Sequence, residues 1–202
     1  REETEYLYGE LNGKDNDYYP NKQLKTSANY KNDELNGERY IYDETGELVI
    51  VRYYENGYFT SYSYKDNTGN LVKPIEIKNE TGTIKAFFKN GQPSIEYNLK
   101  LGSIDGKRTI YHFNGKVASE EYYINSDQTG VNKYYYSSGK LRSEENYNND
   151  DRNGKSTFYH ENGNIKSEEY YINGELNGEL KKYDTNGKLI NKYNYYNGYM
   201  IE

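Results

Sequence analysis

The sequence predicts an all-β fold: an elongated array of consecutive antiparallel β-hairpins, about eight repeats of 24 residues, in a single twisted sheet. Three observations predict it. The first is a glycine that returns every 24 residues at Gly91, Gly115, Gly139, Gly163 and Gly187, after Gly46 and Gly69 at nearly the same interval. A fixed period of this size marks an array of small units and not a globule around one core. The second is a set of eleven Asn-Gly pairs, the dipeptide that tolerates the positive backbone angles of type I′ hairpin turns. The third is a set of tyrosine columns at strand spacing.

Each unit is counted from its first glycine, at Gly13, Gly37, Gly82, Gly106, Gly130, Gly154 and Gly178. Five residues on stand Tyr18, Tyr42, Phe87, Tyr111, Tyr135, Tyr159 and Tyr183, a wholly aromatic column. At phase eleven stand Leu24, Leu48, Pro93, Val117, Leu141, Ile165 and Leu189. At phase seventeen stand Tyr30, Tyr54, Leu99, Tyr123, Tyr147, Tyr171 and Tyr195. Phases eleven and seventeen differ by an even number, so both are expected on one face of a continuous strand. Helical spacing does not fit, and the glycines oppose a helix. Each unit therefore reads as two strands of about six residues joined by tight turns.

The expected organisation is one repeat domain over 1–202, with a partial repeat or cap at 1–12 and repeats over 13–198. A degenerate repeat near 58–81 lacks its first glycine and is interrupted by Lys73-Pro74. A bulge, a bend, an edge or a merely eroded repeat is expected there.

Composition narrows the partners. Leu, Ile, Val and Phe total 35 residues, about 17% of the chain, too few for an ordinary core. The 28 tyrosines supply the missing rings while keeping their hydroxyls wet. The net charge is −6 and the cations form no basic run, which argues against nucleic acid and anionic membranes. No apolar stretch approaches the roughly 20 residues of a membrane-spanning helix. Cysteine is absent, so there is no thiol chemistry. The first residue is Arg1, which fits a removed secretory signal or a shortened chain. An extracytoplasmic place, secreted or at the cell surface, is expected over a cytoplasmic one.

Units such as the one from Asn153 to Gly174 resemble the bacterial variant of the MORN repeat, a cassette also found in antitoxins of the YwqK family. The resemblance runs from about Gly13 to Gly198. It implies consecutive hairpins in an elongated sheet with a groove, and a protein-interaction or scaffold role. It carries over no catalytic residue, since the family shares no active site. Eukaryotic MORN repeats usually carry a Trp and are linked to phospholipids; this chain has no Trp and is acidic, which argues against lipid.

Three groups are candidates for chemistry. His112 and His160 share phase six, two repeats apart. Four strand spacings are roughly 19 Å, too far to share a metal, so they read as a tolerant position near a turn. The triplets Ser119-Glu120-Glu121, Ser143-Glu144-Glu145 and Ser167-Glu168-Glu169 stack as acidic ladders. Glu120, Glu144 and Glu168 are candidates to attract a basic partner, or else belong to a solvated strand neutralised by neighbours such as Lys133, Lys181 and Arg142. At phase sixteen Tyr53, Tyr122 and Tyr170 have no evident packing duty and are the candidate anchors for a partner. No phosphate-binding glycine loop, nucleophile elbow, kinase or metalloprotease signature is present.

The expected function is a non-enzymatic interaction or scaffold module that binds an unidentified protein through its Tyr-rich, acidic face, without cofactor or metal. A carbohydrate or cell-wall binding module and an antitoxin are the alternatives. Self-association through open sheet edges is a third outcome.

Overall fold

The computed structural model describes residues 2–7 and 9–201. Arg1 and Tyr8 of the expected cap, and Glu202, lie outside them. Among the described residues the regular structure is β apart from one 3-10 turn at Lys78–Glu80, and the strands pair antiparallel with near neighbours in the chain. By internal contacts it divides into two compact units, Arg1–Ser103 with Tyr111–Gly115, and Ile104–Ile110 with Lys116–Glu202.

The first unit opens with seven strands in chain order: β1 (Glu2–Leu7), β2 (Glu10–Tyr18), β3 (Leu24–Lys31), β4 (Glu34–Tyr42), β5 (Leu48–Glu55), β6 (Tyr58–Ser63) and β7 (Ile75–Glu76). It also holds the hairpin of β8 (Gly82–Phe87) and β9 (Pro93–Lys100), which belongs to a different sheet. The expected single sheet is thus two. The break falls in the degenerate stretch, where Pro74 cannot donate to a ladder and β7 is only two residues long.

A second demand also breaks the sheet. Leu48, Val49, Ile50 and Val51 are all buried, so β5 needs cover on both faces. The β8–β9 hairpin supplies one of the two covers with Ile84, Ala86, Ile95 and Tyr97, all buried. The Ser94 hydroxyl donates to the Val49 carbonyl at 2.6 Å, Lys89 pairs with Glu47 at 2.8 Å, and the Phe87 ring meets Tyr64 edge-on at 5.3 Å.

The second unit contains most of β10 (Ser103–Tyr111), then β11 (Val117–Ile124), β12 (Asp127–Tyr135), β13 (Leu141–Asn148), β14 (Asp151–Tyr159) and β15 (Ile165–Ile172). After them come β16 (Glu175–Leu176), β17 (Gly178–Tyr183), β18 (Leu189–Tyr196) and β19 (Tyr199–Met200). From β11 to β15 each strand pairs with the next; β17 pairs with β15, and β18 and β19 follow.

The regular strands are eight or nine residues long, not six, and the nine-residue ones run through the first glycine of the unit. That glycine is no turn residue. Gly130, Gly154 and Gly178 lie opposite Tyr147, Tyr171 and Tyr195, as Gly13 and Gly37 lie opposite Tyr30 and Tyr54. The phase-seventeen ring thus faces a residue without a side chain. Gly154 has φ +102°, a region that strains any L side chain.

The two-residue turns with both φ positive fall elsewhere, at Asn149-Asp150 and Asn173-Gly174 for example. Only some of the Asn-Gly pairs make them. Others, such as Asn162-Gly163, end a four-residue turn, His160–Gly163, in which only the glycine has positive φ.

The expectation that phases eleven and seventeen share a face fails. Leu141 is opposite Tyr135 while Ser143 is opposite Tyr134, so an extra residue at Arg142 shifts the register. Ile165 and Tyr159 repeat this pattern. The phase-eleven aliphatics therefore join the phase-five tyrosines, on the face opposite the phase-seventeen tyrosines.

The stabilising core of the first unit is the doubly covered β5. Ile50→Ala is expected to cost about 2–5 kcal/mol, whereas Val131→Ala, at an exposed site of the second unit, is expected to change stability by less than about 0.5 kcal/mol. Urea unfolding of both variants checks this.

Candidate functional site

In the second unit the Ser-Glu-Glu triplets split between the two faces. Ser119, Glu121 and Tyr123 alternate with Glu120 and Tyr122 along β11, and the former three are buried. The same holds for Ser143 and Glu145, and for Ser167 and Tyr171.

On the buried side the second glutamate is a hydrogen-bond hub. The Ser143 hydroxyl donates to Glu145 at 2.8 Å and the Tyr147 hydroxyl at 3.2 Å, and Arg152 pairs with it at 2.7 Å from the adjacent strand. Glu121 accepts from Tyr123 at 2.8 Å and from Arg108 Nε at 2.8 Å, with a second Arg108 nitrogen also bound. Glu169 accepts from Ser167 at 2.9 Å and Tyr171 at 2.6 Å. Arginine stems and rings roof these groups: Arg108 lies 4.6 Å from the Tyr123 centroid and Arg152 5.3 Å from that of Tyr171. Burial, then the bond to Glu169, pushes the Tyr171 hydroxyl up to about 12. Glu121, Glu145 and their arginines were not among the candidate site residues. Their signal was present, because phases thirteen and fifteen share parity with the structural tyrosine at seventeen.

The candidate glutamates Glu120, Glu144 and Glu168 point to the open side, and each is paired there. Lys107 binds Glu120, Lys133 binds Glu144 at 3.2 Å and Lys155 binds Glu168 at 2.6 Å. Lys133 is also the direct cross-strand neighbour of Glu120, and Lys181 of Glu168. Arg142 instead lies over the Tyr134 ring. The expected acidic ladder is therefore an alternating Lys–Glu ladder with little net charge. The phase-five tyrosines complete it, Tyr135 donating to Glu120 at 3.0 Å and Tyr183 to Glu168 at 2.8 Å.

Of the candidate anchors, Tyr122 and Tyr170 lie on this open face, 43% and 47% exposed. They stand on β11 and β15, four strand spacings apart, or roughly 19 Å. Asn146 fills the same phase between them. Exposed Ile124, Val131 and Ile172 share their face. A depression beside Tyr170 is lined by Lys155, Glu168, Asn177, Glu179 and Lys181. Tyr53 is not with them: it sits half-buried on β5 of the first unit.

Phase six has a structural duty. His160 Nε2 lies 3.0 Å from the Tyr183 carbonyl, and Tyr136 and Tyr19 donate from the same phase to the Tyr159 and Tyr42 carbonyls at 2.6 and 2.8 Å. These side chains tie each turn to the next repeat. Among the described residues no group of three or more His, Asp or Glu could hold a metal ion.

Neighbouring glutamates should behave oppositely on substitution. Glu145→Gln strands Arg152 in a partly buried setting and is expected to cost roughly 3 kcal/mol. Glu144→Gln breaks only a solvated pair and is expected to cost about 0–1 kcal/mol. Chemical denaturation of the two variants measures the difference.

The pH profile follows from the open-face ladder. The hydrogen bond from Lys107 holds Glu120 below the usual carboxylate range, and that from Lys155 does so for Glu168, with Tyr135 and Tyr183 adding to each. A folded pKa below the unfolded value gives stability that is present above the ordinary carboxylate pKa and lost as pH falls through the depressed one. Burial, then the bond to Glu120, raises Tyr135 to about 12. That contribution is present below the ordinary tyrosine pKa near 10 and is lost as pH rises towards the folded value. Denaturation midpoints should thus be flat between about pH 5 and pH 9 and fall on both sides. Glu168→Gln should flatten the acid limb.

The MORN repeat variant matches the chain six times, at residues 11–32, 35–56, 104–125, 128–149, 152–173 and 176–197. The unmatched interval, 57–103, contains the sheet break and the β8–β9 hairpin, although Gly82, Phe87 and Leu99 keep their column spacing. No curated protein matches the chain. MORN repeats serve in general as protein- and membrane-interaction modules and are typically non-catalytic. With six matches over more than half of its length, each laid on a hairpin of the ladder, the chain belongs to the MORN repeat variant family.

Proposed function

We propose that this protein is a non-catalytic interaction module that binds a protein partner through the open face of its second unit. The observation that carries this reading is the composition of that face. Tyr122 and Tyr170, with Ile124, Val131 and Ile172, leave apolar side chains in water although the opposite face already holds the packed network. Around them the Lys–Glu pairs form a polar surround of nearly balanced charge. Aromatic anchors inside a polar rim are the composition of protein-binding surfaces.

The charge balance refines the expected partner. Paired carboxylates attract a basic surface weakly, so recognition falls to the rings and to exchange of Lys–Glu contacts across the interface. A toxin neutralised by this chain is one form such a partner would take, as the resemblance to YwqK-family antitoxins implies, and a toxin gene beside this one would support it. Glycan binding would use the same rings, and Tyr fluorescence would then change when cell-wall fragments are titrated in.

Affinity capture with the wild-type chain, followed by binding of the purified captured protein, tests the proposal. Tyr122→Ser and Tyr170→Ser are each expected to raise Kd about tenfold or more with an unchanged β-sheet circular dichroism spectrum. Equal affinity of the double variant would refute the assignment of this face.

A further inference from the structure

Arg39 and Arg52 face each other directly across β4 and β5. Opposed residues share a face, with Cβ atoms about 5 Å apart. In the repeat they occupy phases two and fifteen, the columns that hold Arg108 and Glu121 in the second unit. There a cation meets a carboxylate. Here the carboxylate column carries a second arginine, and the flanking row partners Ala28 and Tyr62 bring no negative charge.

The arrangement leaves hydrogen-bonding capacity unused. Nε of Arg39 and Nε of Arg52 are both buried, and neither has a hydrogen-bond partner among the described residues. The Arg52 guanidinium is held 5.7 Å from the Phe59 centroid and 5.2 Å from that of Tyr97, with Tyr54 beside it. These contacts fix its plane without neutralising its charge. Like charges directly opposed on a sheet are destabilising, and a buried N–H without an acceptor adds to the cost. A planar group that accepts from both forks removes both penalties.

We propose that Arg39 and Arg52 form a binding site for a carboxylate supplied from outside the chain. Carboxylate is the chemistry the protein itself uses in this row, where Arg108 Nε donates to Glu121 at 2.8 Å. The site lies within the first unit, and its test is independent of the tyrosine face described above.

The side-chain Nε–Hε resonances of the full chain report on it directly, since six arginines give an assignable set. The probes are acetate, balanced with chloride at constant ionic strength, and a hexaglutamate peptide. The Arg39 and Arg52 signals are expected to shift together and saturably, while those of Arg108 and Arg152, already paired, stay in place. A peptide Kd at least tenfold below that of acetate assigns the carboxylate to a protein partner. Comparable values per carboxylate assign it to a free small acid.

Arg39→Gln is expected to abolish the Arg52 response. Arg39→Lys, which keeps the charge but lacks Nε, is expected to weaken it at least tenfold. Arg39→Glu supplies the carboxylate from within, so it is expected to melt above Arg39→Gln and to ignore acetate. An Arg52 signal that neither probe moves, or that moves unchanged in Arg39→Gln and Arg39→Lys, overturns the proposal.

Discussion

The second unit depends on a carboxylate sunk into the side-chain layer of its own sheet. A ladder of hairpins must shield one face from water, and this chain has few aliphatic residues for the task. The buried glutamate at phase fifteen is the substitute. The tyrosine two residues after it binds it from the same strand, in two repeats the serine two residues before it does so too, and in two an arginine binds it from a neighbouring strand. The charge is tolerated because its lone pairs are taken up and because rings and arginine stems cover it. A glycine lies opposite the phase-seventeen tyrosine in these pairings, at Gly130 and Gly154.

That arrangement also shapes the opposite surface. Alternation along a strand puts the first glutamate of each triplet on the other side, where a lysine from a neighbouring strand pairs with it. The open face is therefore salt-bridged, while its phase-sixteen tyrosines, Tyr122 and Tyr170, stay nearly half exposed. The surface offered to other molecules is a by-product of how the buried face is satisfied.

The first unit meets the same demand differently. Four consecutive aliphatics in β5 need cover from both sides, and the ladder gives way so that the β8–β9 hairpin can pack on them. Where the second unit has rows of cation and carboxylate, the first has aliphatics and one row of two arginines. The covering β8–β9 hairpin falls in the interval without a family match, whereas β5 and the two arginines lie in the matched repeat 35–56.

Period, hairpin order and the pairing of strands with their chain neighbours were legible in the sequence alone, because they are local: turns and alternation act over a few residues. The structural duty of the phase-seventeen tyrosines was legible for the same reason. The run Leu48-Val-Ile-Val51 already carried the mark of a strand buried twice, though not the identity of what covers it. Three things were decided only by the tertiary structure. The extra residue at Arg142 reverses the parity argument between phases eleven and seventeen, and a bulge is a property of two paired strands and not of one. Which arginine meets the buried glutamate depends on cross-strand register: Arg108 comes from the strand before Glu121 and Arg152 from the strand after Glu145. The split into two sheets depends on β8–β9 meeting β5 across a stretch with no repeat signal, and long-range packing of that kind has no periodicity to read.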